Sequence, residues 1–128
     1  MGKSRIIIKT HEKECVVDLD TKSKWLFGRN AGDWKADIGV DVAAVSRVHG
    51  EFCCINGVWI YFDRKSTNGT YINGKMLRTG LYQTIRPHVL ENGDIIMVCE
   101  SQPTGLTVDD VGDNGVWIKY IEDDNLEQ

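Results

Sequence analysis

Long apolar runs are missing from this chain of 128 residues, and no run approaches the length of a membrane-spanning helix. Helical periodicity is missing too: no long stretch repeats its apolar residues every three or four positions. The four cysteines, Cys15, Cys53, Cys54 and Cys99, form no Cys-x-x-Cys pair, so the spacing of a zinc site is absent. All four sit among apolar neighbours and read as buried free thiols; Cys53 and Cys54, adjacent in a strand-like run, should face opposite sides of a sheet. There is no Gly-rich phosphate loop with its lysine, no Gly-x-Ser-x-Gly elbow and no cluster of metal ligands. His88 and Asp94 lie near one another without a nucleophile. These absences argue against an enzyme and against a cofactor or metal. An apolar signal core is also lacking, which sets the expectation of a cytoplasmic or nuclear, non-secreted protein. Met1-Gly2 does not make a myristoylation start, because Ile6 stands where that signal wants Ser or Thr.

What is present is a single domain's worth of chain with 41% hydrophobic residues, enough to bury a core without staples. The net charge of −4 disfavours general nucleic-acid binding. Its distribution is uneven: residues 24–86 hold nine Lys/Arg against five Asp/Glu, and the remainder six against fourteen. A locally basic region inside an acidic protein suits capture of an anionic ligand at one place.

Short apolar, β-branched and aromatic runs at 5–9, 14–18, 25–27, 36–40, 50–55, 58–62, 70–72, 95–99, 105–111 and 116–121 alternate with turn signals. Asn56-Gly57 between two such runs is a strong hairpin signal, and Asn73-Gly74 is a second turn. Asp113-Asn114-Gly115 suggests a further hairpin, between 105–111 and 116–121. Residues 75–89 carry sheet-edge features, with Pro87 excluding a regular helix across their end. His11 reads as a solvated loop residue. Ten or eleven short strands and no helix make an all-β sandwich.

Three polar clusters fall between these runs: Gly28-Arg29; Ser46-Arg47-Val48-His49; and residues 63–74, Asp-Arg-Lys-Ser-Thr-Asn-Gly-Thr-Tyr-Ile-Asn-Gly. They read as loops gathered at one end of a sheet scaffold, a common place for binding groups. A guanidinium, hydroxyls and an amide can hold a phosphate and a peptide backbone.

In order and spacing the clusters resemble the forkhead-associated (FHA) domain, whose pattern is Gly-Arg, Ser-x-x-His, Asp-x-x-Ser-x-Asn-Gly-Thr and a later Asn. The resemblance implies a sandwich of two twisted, mainly antiparallel sheets of about 11 strands, with the first and last strands adjacent and the binding loops at one end. It implies one domain over 1–128, with a core of about 4–121 and an acidic tail at 122–128, as a part of a longer protein. It also implies a phosphothreonine-dependent protein-interaction module with no catalysis, no cofactor, no nucleic-acid or membrane partner, and monomeric as an isolated domain. Association through a sheet face or edge without phosphate is the alternative.

On this resemblance Arg29 and Ser46 contact the phosphate and Arg47 adds charge. Asn68 pairs with peptide backbone, and Thr67 bonds the phosphate and lines a niche for the threonine methyl. His49 ties loops together. Gly28 and Gly69 serve backbone geometry, while Asp63, Ser66, Thr70 and Asn73 brace loops. Ala44 and Val45 occupy the place that reads the third residue after the phosphothreonine. The charged Arg64-Lys65 pair departs from the apolar residue the family often has after the Asp.

Overall fold

The computed structural model describes residues 3–77 and 87–123. Its strands are β1 (Lys3–Lys9), β2 (Glu14–Asp18), β3 (Lys24–Arg29), β4 (Ile38–Val40), β5 (Gly50–Ile55), β6 (Val58–Asp63), β7 (Thr70–Ile72), β8 (Lys75–Leu77), β9 (Pro87–Val89), β10 (Ile95–Val98) and β11 (Val116–Asp123). They form a six-stranded sheet ordered β2-β1-β11-β10-β7-β8 and a five-stranded sheet ordered β4-β3-β5-β6-β9. The only parallel pair among these strands is β3–β4. The all-β sandwich is the one the sequence leads to, and β1 pairs with β11 so that Lys3 faces Asp123.

Alternation along the strands explains how the sheets pack. Ile6 and Ile8 on β1, Ile96 and Val98 on β10, and Ile118 and Tyr120 on β11 are buried from one sheet; Phe27, Phe52, Trp59 and Tyr61 meet them from the other. Phe27, Phe52 and Tyr61 form an edge-to-face series, with centroids 6.5 and 5.0 Å apart. Leu19, in a short 3₁₀ turn after β2, is fully buried and closes one end. Both Asn-Gly turns have left-handed backbone at both residues, Asn56 and Gly57 (φ 52° and 80°) and Asn73 and Gly74 (φ 52° and 88°), the geometry that matches strand twist in a two-residue hairpin. Pro87 opens β9 at a sheet edge, where its missing N–H costs no ladder bond.

Several expectations are corrected. Residues 105–111 form no strand: Val108–Val111 is a 3₁₀ turn, with the Asp110 carboxylate accepting from the Thr107 N–H and hydroxyl at 2.8 and 2.7 Å. β11 is already flanked by β10 and β1, so no edge remains for that hairpin. Gly28 and Arg29 end β3 rather than lying in a loop, because β4 pairs alongside them. β11 continues through Glu122 and Asp123, opposite Ser4 and Lys3. Of the thiols only Cys99 is buried; Cys53 and Cys54 are half-buried and Cys15, on edge strand β2, is exposed. The edge expected over 75–89 is seen in β8 and β9, with 78–86 outside the described residues.

Asn73 fastens the β7–β8 turn to the body of the fold. Its amide donates to Asp94 Oδ1 (2.9 Å) and accepts from the Ile95 N–H (2.9 Å). Burial alone pushes the Asp94 carboxyl up. The Glu91 N–H, His88 and Asn73 outweigh it and hold the group below the usual carboxylate range. Asn73→Ala should cost about 1–3 kcal/mol, from the lost bonds to a buried carboxylate and from left-handed backbone imposed on alanine. Asn73→Gly, free of the backbone term, should recover part of this. Urea midpoints of the three proteins test it; an unaltered midpoint for Asn73→Ala would mean the backbone alone holds the turn.

Candidate functional site

Three segments meet beyond the ends of β3, β5 and β6, joined by hydrogen bonds from backbone and side chains. Arg29, at the last position of β3, donates its backbone N–H to the Ser46 carbonyl (3.0 Å) and its side-chain Nε to the Val45 carbonyl (2.9 Å). Ser46 Oγ accepts the Thr67 N–H at 3.0 Å. Asn68 Nδ2 donates to the Ala44 carbonyl at 2.8 Å. Arg29, Ser46, Thr67 and Asn68 are thus brought together around residues 44–47, with Arg47 exposed next to Ser46. Gly28 makes the approach possible: a Cβ there would sit 1.8 Å from the Arg47 carbonyl oxygen. Gly69 has φ +77°, and a Cβ on it would meet the Met76 sulfur at 2.5 Å.

His49 lies under this junction, fully buried and edge-on to Phe27 with centroids 5.4 Å apart. Its Nδ1 accepts the Ser46 N–H at 3.0 Å. A backbone N–H can only donate, so Nδ1 carries no proton and the ring is the neutral Nε2–H form. Nε2 then donates to the Gly69 carbonyl (3.0 Å), with Thr70 Oγ1 at 3.2 Å. Burial pushes the imidazole below its ordinary range, partly opposed by the Asp63 carboxylate and the Gly69 carbonyl.

A second buried chain stands beside it. Asp63 Oδ1 accepts from Thr70 Oγ1 (2.8 Å) and Ser66 Oγ (2.6 Å), and Oδ2 accepts the Ser66 N–H (3.1 Å). With its proton on Asp63, Thr70 Oγ1 accepts from the Tyr61 hydroxyl at 3.0 Å. Burial pushes that phenol far up, so it stays a donor. Sequence reasoning missed Tyr61 as part of this network, and missed Gly50, where a Cβ would lie 2.2 Å from the Tyr61 oxygen. It also missed Glu51, which is 8% exposed and pairs with Arg64 and Lys24. Nothing in a run of strand residues marks a tyrosine whose oxygen ends beneath a loop. A glycine at the head of a strand, two positions before an aromatic, is at most a weak hint.

The chemistry left over faces outward. The terminal nitrogens of Arg29, the guanidinium of Arg47 and the Thr67 hydroxyl bond no described residue, and no described carboxylate lies within ion-pair distance of either arginine. Ser46 accepts through its oxygen, so its proton is available. Asn68 donates through its nitrogen and keeps its carbonyl oxygen for a further donor. Ala44 and Val45 are each 1% exposed, so their side chains cannot read a ligand and the expectation that they do is corrected. A cleft of about 300 Å³ elsewhere, lined by Ile8, His11, Cys15, Val40, Val42 and Asp113 among others, contains none of the motif residues. Among the described residues no group of three or more His, Cys, Asp or Glu could hold a metal, and no helix is long and apolar enough to cross a membrane.

The FHA domain family model matches residues 25–99. The chain belongs to the FHA domain family. Among solved structures this FHA domain is similar to full-length yeast Pml1p, at 23% identity and TM-score 0.68 over 94% of this chain and 82% of that one. It is similar to the FHA domain of CT664 from Chlamydia trachomatis, at 14% identity and TM-score 0.65 over 93% and 96%. The N-terminal FHA domain of Rad53p from S. cerevisiae, solved with a phosphothreonine peptide, matches at 21% identity and TM-score 0.65 over 93% and 92%. No curated protein sequence matches the chain. At these identities the likeness to solved structures carries the fold.

His49 links this site to pH. Its folded pKa lies below the unfolded value near 6.5, so the unfolded chain takes up the proton first. Stability should therefore hold above about pH 6.5, fall as pH drops through that value, and level off once the folded ring itself titrates. Urea midpoints between about pH 7.5 and 5 should show the decline, and ring NMR shifts should still report neutral imidazole at about pH 6.5. A ring already protonated there would refute the assignment.

Proposed function

We propose that this FHA domain is a non-catalytic module that docks phosphothreonine-containing segments of partner proteins. The observation that carries it is the set of donors with no partner among the described residues: the Arg29 terminal nitrogens, Arg47, the Ser46 proton and the Thr67 hydroxyl, on a backbone already fixed by His49 and Asn68. Such donors are preorganised for an anion with several acceptor oxygens. The planar fork of Arg29 suits two phosphate oxygens at once. The Asn68 carbonyl can take an N–H of the peptide beside the phosphoresidue. Membership of the family, and the phosphothreonine peptide bound by the Rad53p domain, agree with the reading. A second reading, association without phosphate through the outer face of the five-stranded sheet, has the exposure of Ile55, Val58 and Val89 in its favour. Titration with matched phosphorylated and unphosphorylated peptides separates the two.

Arg29→Ala should weaken phosphopeptide binding by about 2–4 kcal/mol, the range for breaking a charge-assisted pair at an interface. It should also cost about 1 kcal/mol of stability, since the bond to the Val45 carbonyl is lost. Calorimetric titration of the folded variant checks this, and wild-type affinity would remove Arg29 from the site.

Phosphothreonine should be preferred over phosphoserine by about 1–3 kcal/mol, the range for one methylene-sized group in a shaped pocket. The phosphate contacts cannot tell the two apart, so the discrimination rests on a niche beside Thr67 and Asn68. One peptide titrated in both forms at fixed salt is the measurement; equal affinities would mean that no niche exists.

A further inference from the structure

We propose that Trp34 is a specificity-determining residue of the phosphopeptide site and takes an uncharged apolar or aromatic side chain of the ligand close to the phosphothreonine. The proposal rests on the phosphopeptide reading above. Trp34 is 39% exposed, while Trp59 is buried and Trp25 and Trp117 are half-buried with their indole N–H groups bonded to the Leu19 and Leu106 carbonyls. Its place sets it apart from a stray surface aromatic. The segment 30–37 leaves directly from Arg29, and Trp34 Nε1 donates to the Arg47 carbonyl at 3.1 Å. That carbonyl is the one seated against Gly28, in the residue after Ser46. The indole is thereby fixed to backbone adjoining both proposed phosphate contacts, against the residue before Arg29 and in the residue after Ser46.

The loop that carries it is also pinned. Ala31 and Trp34 exchange two backbone hydrogen bonds, of 3.0 and 2.9 Å, around a turn in which Gly32 has φ +59°. The Asn30 side chain accepts the Ala36 N–H at 3.3 Å. An exposed aromatic held in this way offers contact area with little conformational freedom left to lose, the property that makes tryptophan and tyrosine effective anchors at interfaces. Charge narrows the ligand class. Asp33 and Lys35 flank Trp34 and offset one another, while Arg29 and Arg47 carry no described carboxylate partner. A lysine or arginine of the ligand would meet like charge there, an acidic residue would be drawn to the guanidiniums rather than to the indole, and the indole face itself fits an uncharged apolar or aromatic side chain.

The test is a phosphothreonine-oriented peptide library, with one position fixed and its flanks degenerate, passed over wild type, Trp34→Ala and Trp34→Phe. Wild type should enrich aromatic or aliphatic residues at one position within about four residues of the phosphothreonine, the reach of a short extended segment. Trp34→Ala should lose that enrichment and keep phosphate dependence. For one selected peptide, Trp34→Ala should weaken binding about tenfold, whereas the same peptide with alanine at the selected position should bind both proteins alike. Trp34→Phe keeps an aromatic face on a loop that the Ala31–Trp34 backbone bonds still hold, and loses the bond to the Arg47 carbonyl, so it should retain part of the selection. The proposal is overturned if Trp34→Ala weakens both peptides equally, if the enrichment survives it, or if Trp34→Phe loses the selection as completely as alanine does. The first and last of those results would make Trp34 a brace for the loop, and the second would leave it with no part in the selection. An absence of phosphate-dependent retention by wild type would instead overturn the phosphopeptide reading, and this proposal with it.

Discussion

A single buried imidazole holds the site end of this domain together. His49 uses all four of its polar groups to join three stretches of chain: its N–H on the Phe27 carbonyl, Nδ1 on the Ser46 N–H, and, within the 63–74 cluster, its carbonyl on the Arg64 N–H and Nε2 on Gly69 with Thr70. None of these bonds is exchanged with water, because the ring is fully buried against Phe27. Three loops that would each be mobile alone are therefore held in one arrangement, and the cost of ordering them is met when the chain folds. A residue of this kind is easily mistaken for an acid–base catalyst. Its unprotonated Nδ1 is taken by a backbone amide, which leaves no lone pair for a reacting group.

Tyr61, Thr70, Asp63 and Ser66 extend the same logic one layer down. Each hydroxyl passes its proton toward the Asp63 carboxylate, so every buried side-chain oxygen and nitrogen described has a partner. Such a chain is either fully satisfied or costly, and its members depend on one another's orientation. Its position beneath Gly69 and Thr70 carries the strictness of the core up to the loop that presents Thr67 and Asn68.

Much of this was legible in the sequence because the relevant physics is local. Alternation and Asn-Gly pairs mark strands and hairpins residue by residue, and most of the strands appear where those signals stand. What failed was decided at a distance. The Asp113-Asn114-Gly115 turn looks like a hairpin until β11 is seen to be flanked on both sides. Cys15 sits among apolar neighbours in sequence but on an edge strand in space. Ala44 and Val45 lie beside the motif serine, yet point into the core. The motif residues could be named from their order; their mutual bonds could not, since each joins segments that share no sequence neighbourhood. Tyr61 illustrates the limit: alternation places it inward, and only the Gly50 contact shows why its oxygen reaches Thr70.

On the phosphopeptide reading, Glu51 bears on how fast the ligand would arrive. This nearly buried carboxylate on β5 draws Arg64 and Lys24 to itself, leaving the guanidiniums of Arg29 and Arg47 outside any described ion pair. Arg64 is paired in this way where β6 leads into the 63–74 loop, while Arg29 and Arg47 keep their charge unpaired among the described residues. For an anionic ligand the long-range part of their attraction acts on encounter and fades as ionic strength shortens the Debye length. The short hydrogen bonds formed after contact govern departure and feel added salt far less. On the phosphopeptide reading, salt should therefore slow association more than it hastens dissociation, and the lifetime of the complex would depend on the pinned loops more than on the medium.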